Sequence, residues 1–183
     1  MKIPTASQTV GPFFNFGLTT NSELGRMARD GAGGERIRLT IRVVDGEGTP
    51  SPGDAMVELW QADAQGKYDH PCDGNPREAD AAFCGFGRME TQSDGSCTFE
   101  TVIPGRVGNQ APHINVTVFA RGLLKPLFTR IYFANDPEDA VLSLVPAQRR
   151  HTLLASPGPT AGEWTFTIRL QGDKQTETVF FDI

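Results

Sequence analysis

The chain has 183 residues, a length that suits one domain with a sizeable core. Its formal net charge of −5 argues against nucleic acid as a partner, because phosphate binding needs a basic face. Apolar residues make up 38% and charged residues 21%; 20 glycines and 13 prolines favour strands joined by turns and loops over a helical bundle.

Residues 1 to 35 read as an irregular arm that packs on its own domain or on a neighbouring chain. Its ordered-looking part is Ser7-Gln-Thr-Val-Gly-Pro-Phe-Phe14, and Gly31-Ala-Gly-Gly34 is a flexible joint. The opening stretch lacks the apolar centre of a signal peptide, and no run is apolar or long enough to cross a bilayer. Residues 36 to 183 read as the folded domain. Arg36 to Asp45 alternates polar and apolar, the period of a half-buried strand, and Asp45-Gly46 with Gly48 signals a turn. Ala55 to Ala62 is the next strand, with Val57 and Leu59 on one face and Trp60 on the other. Asp63 to Phe86 reads as a polar loop. Strands are expected over Ser96–Ile103, His113–Phe119 and Leu127–Phe133. One short helical segment is expected near 136–150, with Asp136 as its cap, Pro137 in its first position and acids in its first turn. Trp164–Leu170 and Thr176–Phe181 flank a Gly172-Asp173 turn and read as a terminal hairpin. The fold expected is therefore all-β, an antiparallel β-sandwich. Cys72, Cys84 and Cys97 are odd in number without Cys-x-x-Cys spacing, and read as reduced thiols of a cytoplasmic protein.

Chemistry-bearing residues are few. Of three histidines, His70 follows Tyr68 in a turn-like segment and His151 sits in the basic Arg149-Arg-His stretch. A lone histidine is more often structural than catalytic. No Gly-x-Ser-x-Gly, P-loop or dinucleotide fingerprint occurs. The third, His113, opens a strand in which Asn115 shares its face. A His-x-His there would make a metal pincer, but an amide is a weak ligand. On these grounds alone the chain is a β-sandwich binding module.

The segments Trp60-Gln-Ala-Asp-Ala, Thr101-Val-Ile-Pro-Gly and Thr129-Arg-Ile-Tyr-Phe, with the strand from His113 to Gly122, add to that reading. In this order and spacing they resemble the intradiol ring-cleavage dioxygenases, from Thr5 to the end of the chain. The resemblance implies a ferric site of two tyrosines and two histidines; tyrosinate is a hard anionic donor that suits Fe(III). Tyr68 matches the first tyrosine and His113 the first histidine. Asn115 stands where the second histidine belongs, Gln110 stands where an arginine is expected, and Pro104-Gly-Arg-Val-Gly-Asn109 has no second tyrosine. Tyr68 and His113 are then vestigial positions, and the resemblance implies no metal in this chain.

The family includes two-chain members that cleave protocatechuate with O2, in which a beta chain holds Fe(III) and a homologous alpha chain has a degenerate site. The resemblance implies a chain of the second kind, partnered by an iron-bearing beta chain in a higher-order oligomer. It matches Thr9, Gly11, Pro12 and Phe13 to an arm that approaches the bound aromatic acid, and Arg121 to an arginine near the substrate carboxylate. A guanidinium supplies charge and directed donors for a carboxylate, and apolar side chains pack on ring faces. Two other readings stay open: an independent intradiol dioxygenase with an atypical iron site, and a non-enzymatic β-sandwich binding module.

Overall fold

The computed structural model describes residues 5–46, 49–50, 55–72 and 79–182. Gly48 of the expected turn lies outside these residues. Nine strands are described, in two sheets. In the first, β1 (Arg36–Asp45) is central. β5 (Ser96–Val102) runs antiparallel beside its first seven residues, and β2 (Thr49–Pro50) pairs with its far end. On the other side lie β9 (Glu163–Arg169) and then β8 (Ser156–Pro157). The second sheet has the order β4 (Phe86–Glu90), β3 (Met56–Trp60), β6 (His113–Phe119), β7 (Leu127–Tyr132), all antiparallel.

Strand alternation places the core between the sheets. Leu39, Ile41, Val43, Phe99 and Ile168 from the first sheet meet Val57, Leu59, Ile114, Val118 and Ile131 from the second, all fully buried. Each such aliphatic side chain contributes about 1.5–3 kcal/mol by leaving water. Trp60, on the opposite face of β3 from Val57 and Leu59, is exposed.

The sandwich is as expected, with five departures, the last at the C-terminal tail. β1 and β9 pair in parallel, so the sandwich is not wholly antiparallel. β4 was not expected as a strand. Gly87 lowers its strand propensity but admits a close approach: a Cβ would lie 2.7 Å from the Met27 sulfur and 3.1 Å from Leu24 O. The arm is not irregular throughout, since α1 (Pro12–Leu18) has proline in its first turn and Gly11 as its N-cap residue. The helical segment near 136–150 is replaced by two 3₁₀ turns, Leu142–Leu144 and Ala147–Leu153, with Pro146 interrupting them. Asp136 accepts from Glu138 N–H in a local turn and pairs with Arg106 at 2.7 Å, while Asp139 accepts from Val141 and Leu142 N–H at the start of the first 3₁₀ turn.

The terminal hairpin does not form. Asp173 accepts from Gln175 and Thr176 N–H and turns the chain locally. Thr178 makes one exchange with Arg169 of β9, and the tail then crosses to the other sheet, where Phe181 N–H donates to Phe128 O at 2.8 Å. Among the described residues no helix is long and apolar enough to cross a membrane. Cys72 is exposed, Cys84 half-buried and Cys97 buried, and all three are free; burial pushes the Cys97 thiol up to about 12.

Candidate functional site

The motif segments meet in space. Gln61, fully buried just after β3, accepts from the Thr101 hydroxyl at 2.7 Å and donates to Val102 O at 3.1 Å. One amide thus ties the Trp60-Gln-Ala-Asp-Ala segment of one sheet to the Thr101-Val-Ile-Pro-Gly segment of the other. Buried polar groups hold when every partner is present. Asp63, two residues on, is also buried. It accepts from Gln65, Lys67 and Asp80 N–H, each at 2.9 Å, and so shapes the loop that carries Tyr68. Gly66 turns this loop at φ 78°, where an L side chain is strained.

Pairing across β3, β6 and β7 then builds the outer face of the second sheet. Trp60 lies opposite Asn115, and Asn115 opposite Arg130; His113 lies opposite Tyr132. Tyr68 stacks on Trp60 with centroids 5.7 Å apart, and His70 meets the same indole edge-on at 6.1 Å. The sheet therefore gathers Tyr68, His113, Asn115 and Gln110 on one face.

Their roles there are not those of a ligand set. His113 is buried, with Nδ1 2.8 Å from Ala111 O. A carbonyl only accepts, so the proton sits on Nδ1. Burial lowers the His113 pKa and the Arg130 charge adds to this, while the Ala111 hydrogen bond and Asp139 act the other way. Asn115 donates to Trp60 O at 3.3 Å. Gln110 accepts from Arg130 Nη1 at 2.6 Å, and the same nitrogen lies 3.5 Å from the Tyr132 hydroxyl. A guanidinium thus reaches this face from β7 although the arginine expected at 110 is absent. With Asn115 already engaged and no second tyrosine in the 104–109 segment, the residues present do not fit ferric iron. Among the described residues no three His, Cys, Asp or Glu side chains converge as a metal site.

Tyr132 and Asp139 were missed from sequence. Tyr132 is fully buried, and its hydroxyl donates to Asp139 Oδ1 at 3.1 Å. Burial pushes its phenol up to about 12, so it remains protonated. Asp139, also fully buried, resists ionisation on that account. Hydrogen bonds from Leu142, Ala111 and Val141 N–H and from the Tyr132 hydroxyl outweigh this and hold its carboxyl below the usual range. The only sequence signal for Asp139 was its place in a cap-like cluster of acids, and the wrong member was chosen as the helix cap.

The substrate-contact candidates lie at the other end of β6. Thr9 Oγ1 accepts from Gly122 N–H at 2.7 Å, which sets the arm beside Arg121. Phe14 packs on Phe119 with centroids 5.4 Å apart. Gly11 precedes α1, Pro12 and Phe13 begin it, and the Phe13 side chain is 88% exposed. From His113 to Phe119 is six strand steps, roughly 20 Å. Arg121 and the arm are thus remote from the disarmed face of their own chain.

The sequence profile of the dioxygenase family matches residues 9–172, and the chain belongs to this family. It is 41% identical to the protocatechuate 3,4-dioxygenase alpha chain of Burkholderia cepacia, over 98% of this chain and 97% of that relative. It is 35% identical to the protocatechuate 3,4-dioxygenase beta chain of the same organism, over 67% of this chain and 56% of that relative. Among solved structures, an intradiol ring-cleavage dioxygenase from Tetranychus urticae matches the fold with a TM-score of 0.63 at 19% identity, covering 82% of this chain and 89% of the other.

Proposed function

We propose that this chain is the non-iron-binding alpha subunit of a protocatechuate 3,4-dioxygenase, active with a homologous beta chain that holds Fe(III). The observation that carries this is the separation between the two ends of β6. The disarmed face gathers around His113 and Asn115, whereas Thr9 and Arg121 assemble at the far end. Residues there serve an iron centre only if it belongs to another chain. Near full-length likeness to an alpha chain supports the same reading.

In the complex, both atoms of O2 enter protocatechuate and the bond between its hydroxyl-bearing carbons breaks, giving 3-carboxy-cis,cis-muconate. The partner's iron supplies that oxygen chemistry. This chain contributes recognition: Arg121 draws the substrate carboxylate, while Thr9, Gly11, Pro12 and Phe13 wall the pocket and exclude water. The exposed Phe13 and Phe16 side chains suit burial against the partner, consistent with a higher-order oligomer of alpha–beta pairs. A cytoplasmic location accords with three free thiols.

Arg121→Ala, co-expressed with the beta chain, tests the assignment. Losing a charged hydrogen bond of about 1.5–3 kcal/mol lowers kcat/KM on protocatechuate by roughly 10- to 100-fold. Iron content should stay at the wild-type value; loss of iron would place Arg121 at the metal and sink this role.

A further inference from the structure

On the outer face of the second sheet, the tail borders an open cavity of about 380 Å³ against β6, β7 and Val141. Phe128, Val141 and Phe181 form apolar walls, and Asn115 and Arg130 line its polar side. The volume falls within the range of small-molecule sites, roughly 300–1,000 Å³, which combine apolar walls with a few directed polar groups.

Arg130 is half-buried, and among the described residues one of its nitrogens is engaged. Nη1 takes both contacts, to Gln110 and to the Tyr132 hydroxyl. Among the described residues no acceptor meets Nε or Nη2, and neither atom is sealed from solvent. Nε and Nη2 are the side edge of the guanidinium, the pair that takes a carboxylate through two parallel hydrogen bonds. Gln110 holds the fork in place, so little side-chain freedom remains to be lost on binding. The cavity's one carboxylate, Asp182, is exposed, where water and salt screen it.

We propose that this cavity binds a small organic carboxylate with a flat apolar body, of about the size of benzoate. The carboxylate takes the Nε–Nη2 edge of Arg130, and the body sits among Phe128, Val141 and Phe181. The proposal goes beyond the subunit assignment and does not depend on it, because every group involved belongs to this chain.

Calorimetric titration of the full-length chain alone with benzoate tests it, with benzyl alcohol as the uncharged control. Saturable binding at or below about 10 mM is expected, with benzyl alcohol at least tenfold weaker. Arg130→Gln should weaken benzoate by about tenfold or more, and Val141→Trp, which fills the cavity and leaves Arg130 in place, should remove binding. No saturable benzoate binding by the wild type, equal affinity for the alcohol, or unchanged affinity in a natively folded variant would overturn the site. Should Arg130→Gln fail to fold, Val141→Trp and the alcohol comparison decide. A negative result leaves the alpha-subunit assignment standing, since iron and O2 take no part in the titration.

Discussion

Thr9 and Gly122 are 113 residues apart in sequence, yet the Thr9 hydroxyl accepts a 2.7 Å hydrogen bond from Gly122 N–H. This contact couples the arm to the loop that carries Arg121. Two segments singled out separately from sequence thereby become one surface, with the Phe14–Phe119 contact behind it.

Thr9→Val should loosen that surface without unfolding the sandwich. An exposed hydrogen bond contributes about 0.5–1.5 kcal/mol. Hydrogen exchange at the Gly122 amide should accelerate several-fold while the midpoint of urea unfolding stays nearly constant. Unchanged exchange would mean that the arm is held by its aromatic contacts alone.

Gln61→Leu should cost far more. It leaves the buried Thr101 hydroxyl and Val102 carbonyl without their partner, and each such group costs about 1–3 kcal/mol. Urea unfolding should show a loss of roughly 2–4 kcal/mol. A loss below about 0.5 kcal/mol would mean that water replaces the amide.

His113 gives a pH dependence of definite sign. Its folded pKa lies below the unfolded value of about 6.5, so the unfolded chain binds the proton more readily. Stability should be complete above about pH 6.5 and fall as pH drops through the lowered folded value. The held-down carboxylates of Asp136 and Asp139 titrate further into acid and leave this window clear. Urea unfolding from pH 8 to 5 should show the slope in the wild type and lose it in His113→Asn. An identical slope in both would assign it to another group.

Asn115→His alone should not create a ferric site. The 104–109 segment still offers no tyrosine, so the donor set stays incomplete. Metal analysis after Fe(III) loading and gel filtration should show no stoichiometric iron. Stoichiometric uptake would show that the site is less altered than its contacts imply.

The strands that alternate cleanly were legible from sequence, and so was the shared face of His113 and Asn115 on β6. Both depend on residues close together in the chain. Arg130 and Tyr132 stand within the Thr129-Arg-Ile-Tyr-Phe segment, but their roles, like that of Asp139, come from tertiary placement: Arg130 faces Asn115 only through the pairing of β6 with β7. β4 is not legible because Gly87 weakens the strand pattern, while its close approach to Met27 is a contact between distant segments. The tail was misread because a Gly-Asp pair signals a turn but not which strand the chain meets afterwards. Two of the motif segments belong together physically, because the Gln61–Thr101 bond joins them across the sheets.

The central claim is that this chain shapes a substrate pocket whose iron belongs to a homologous partner. Its most direct test is iron content and protocatechuate-dependent O2 uptake, measured on the chain alone and on the chain co-expressed with its beta homologue. The prediction is a colourless, iron-free and inactive chain alone, and an active complex with about one ferric ion per pair of chains. An iron-replete chain that consumes O2 with protocatechuate in the absence of any partner would contradict it.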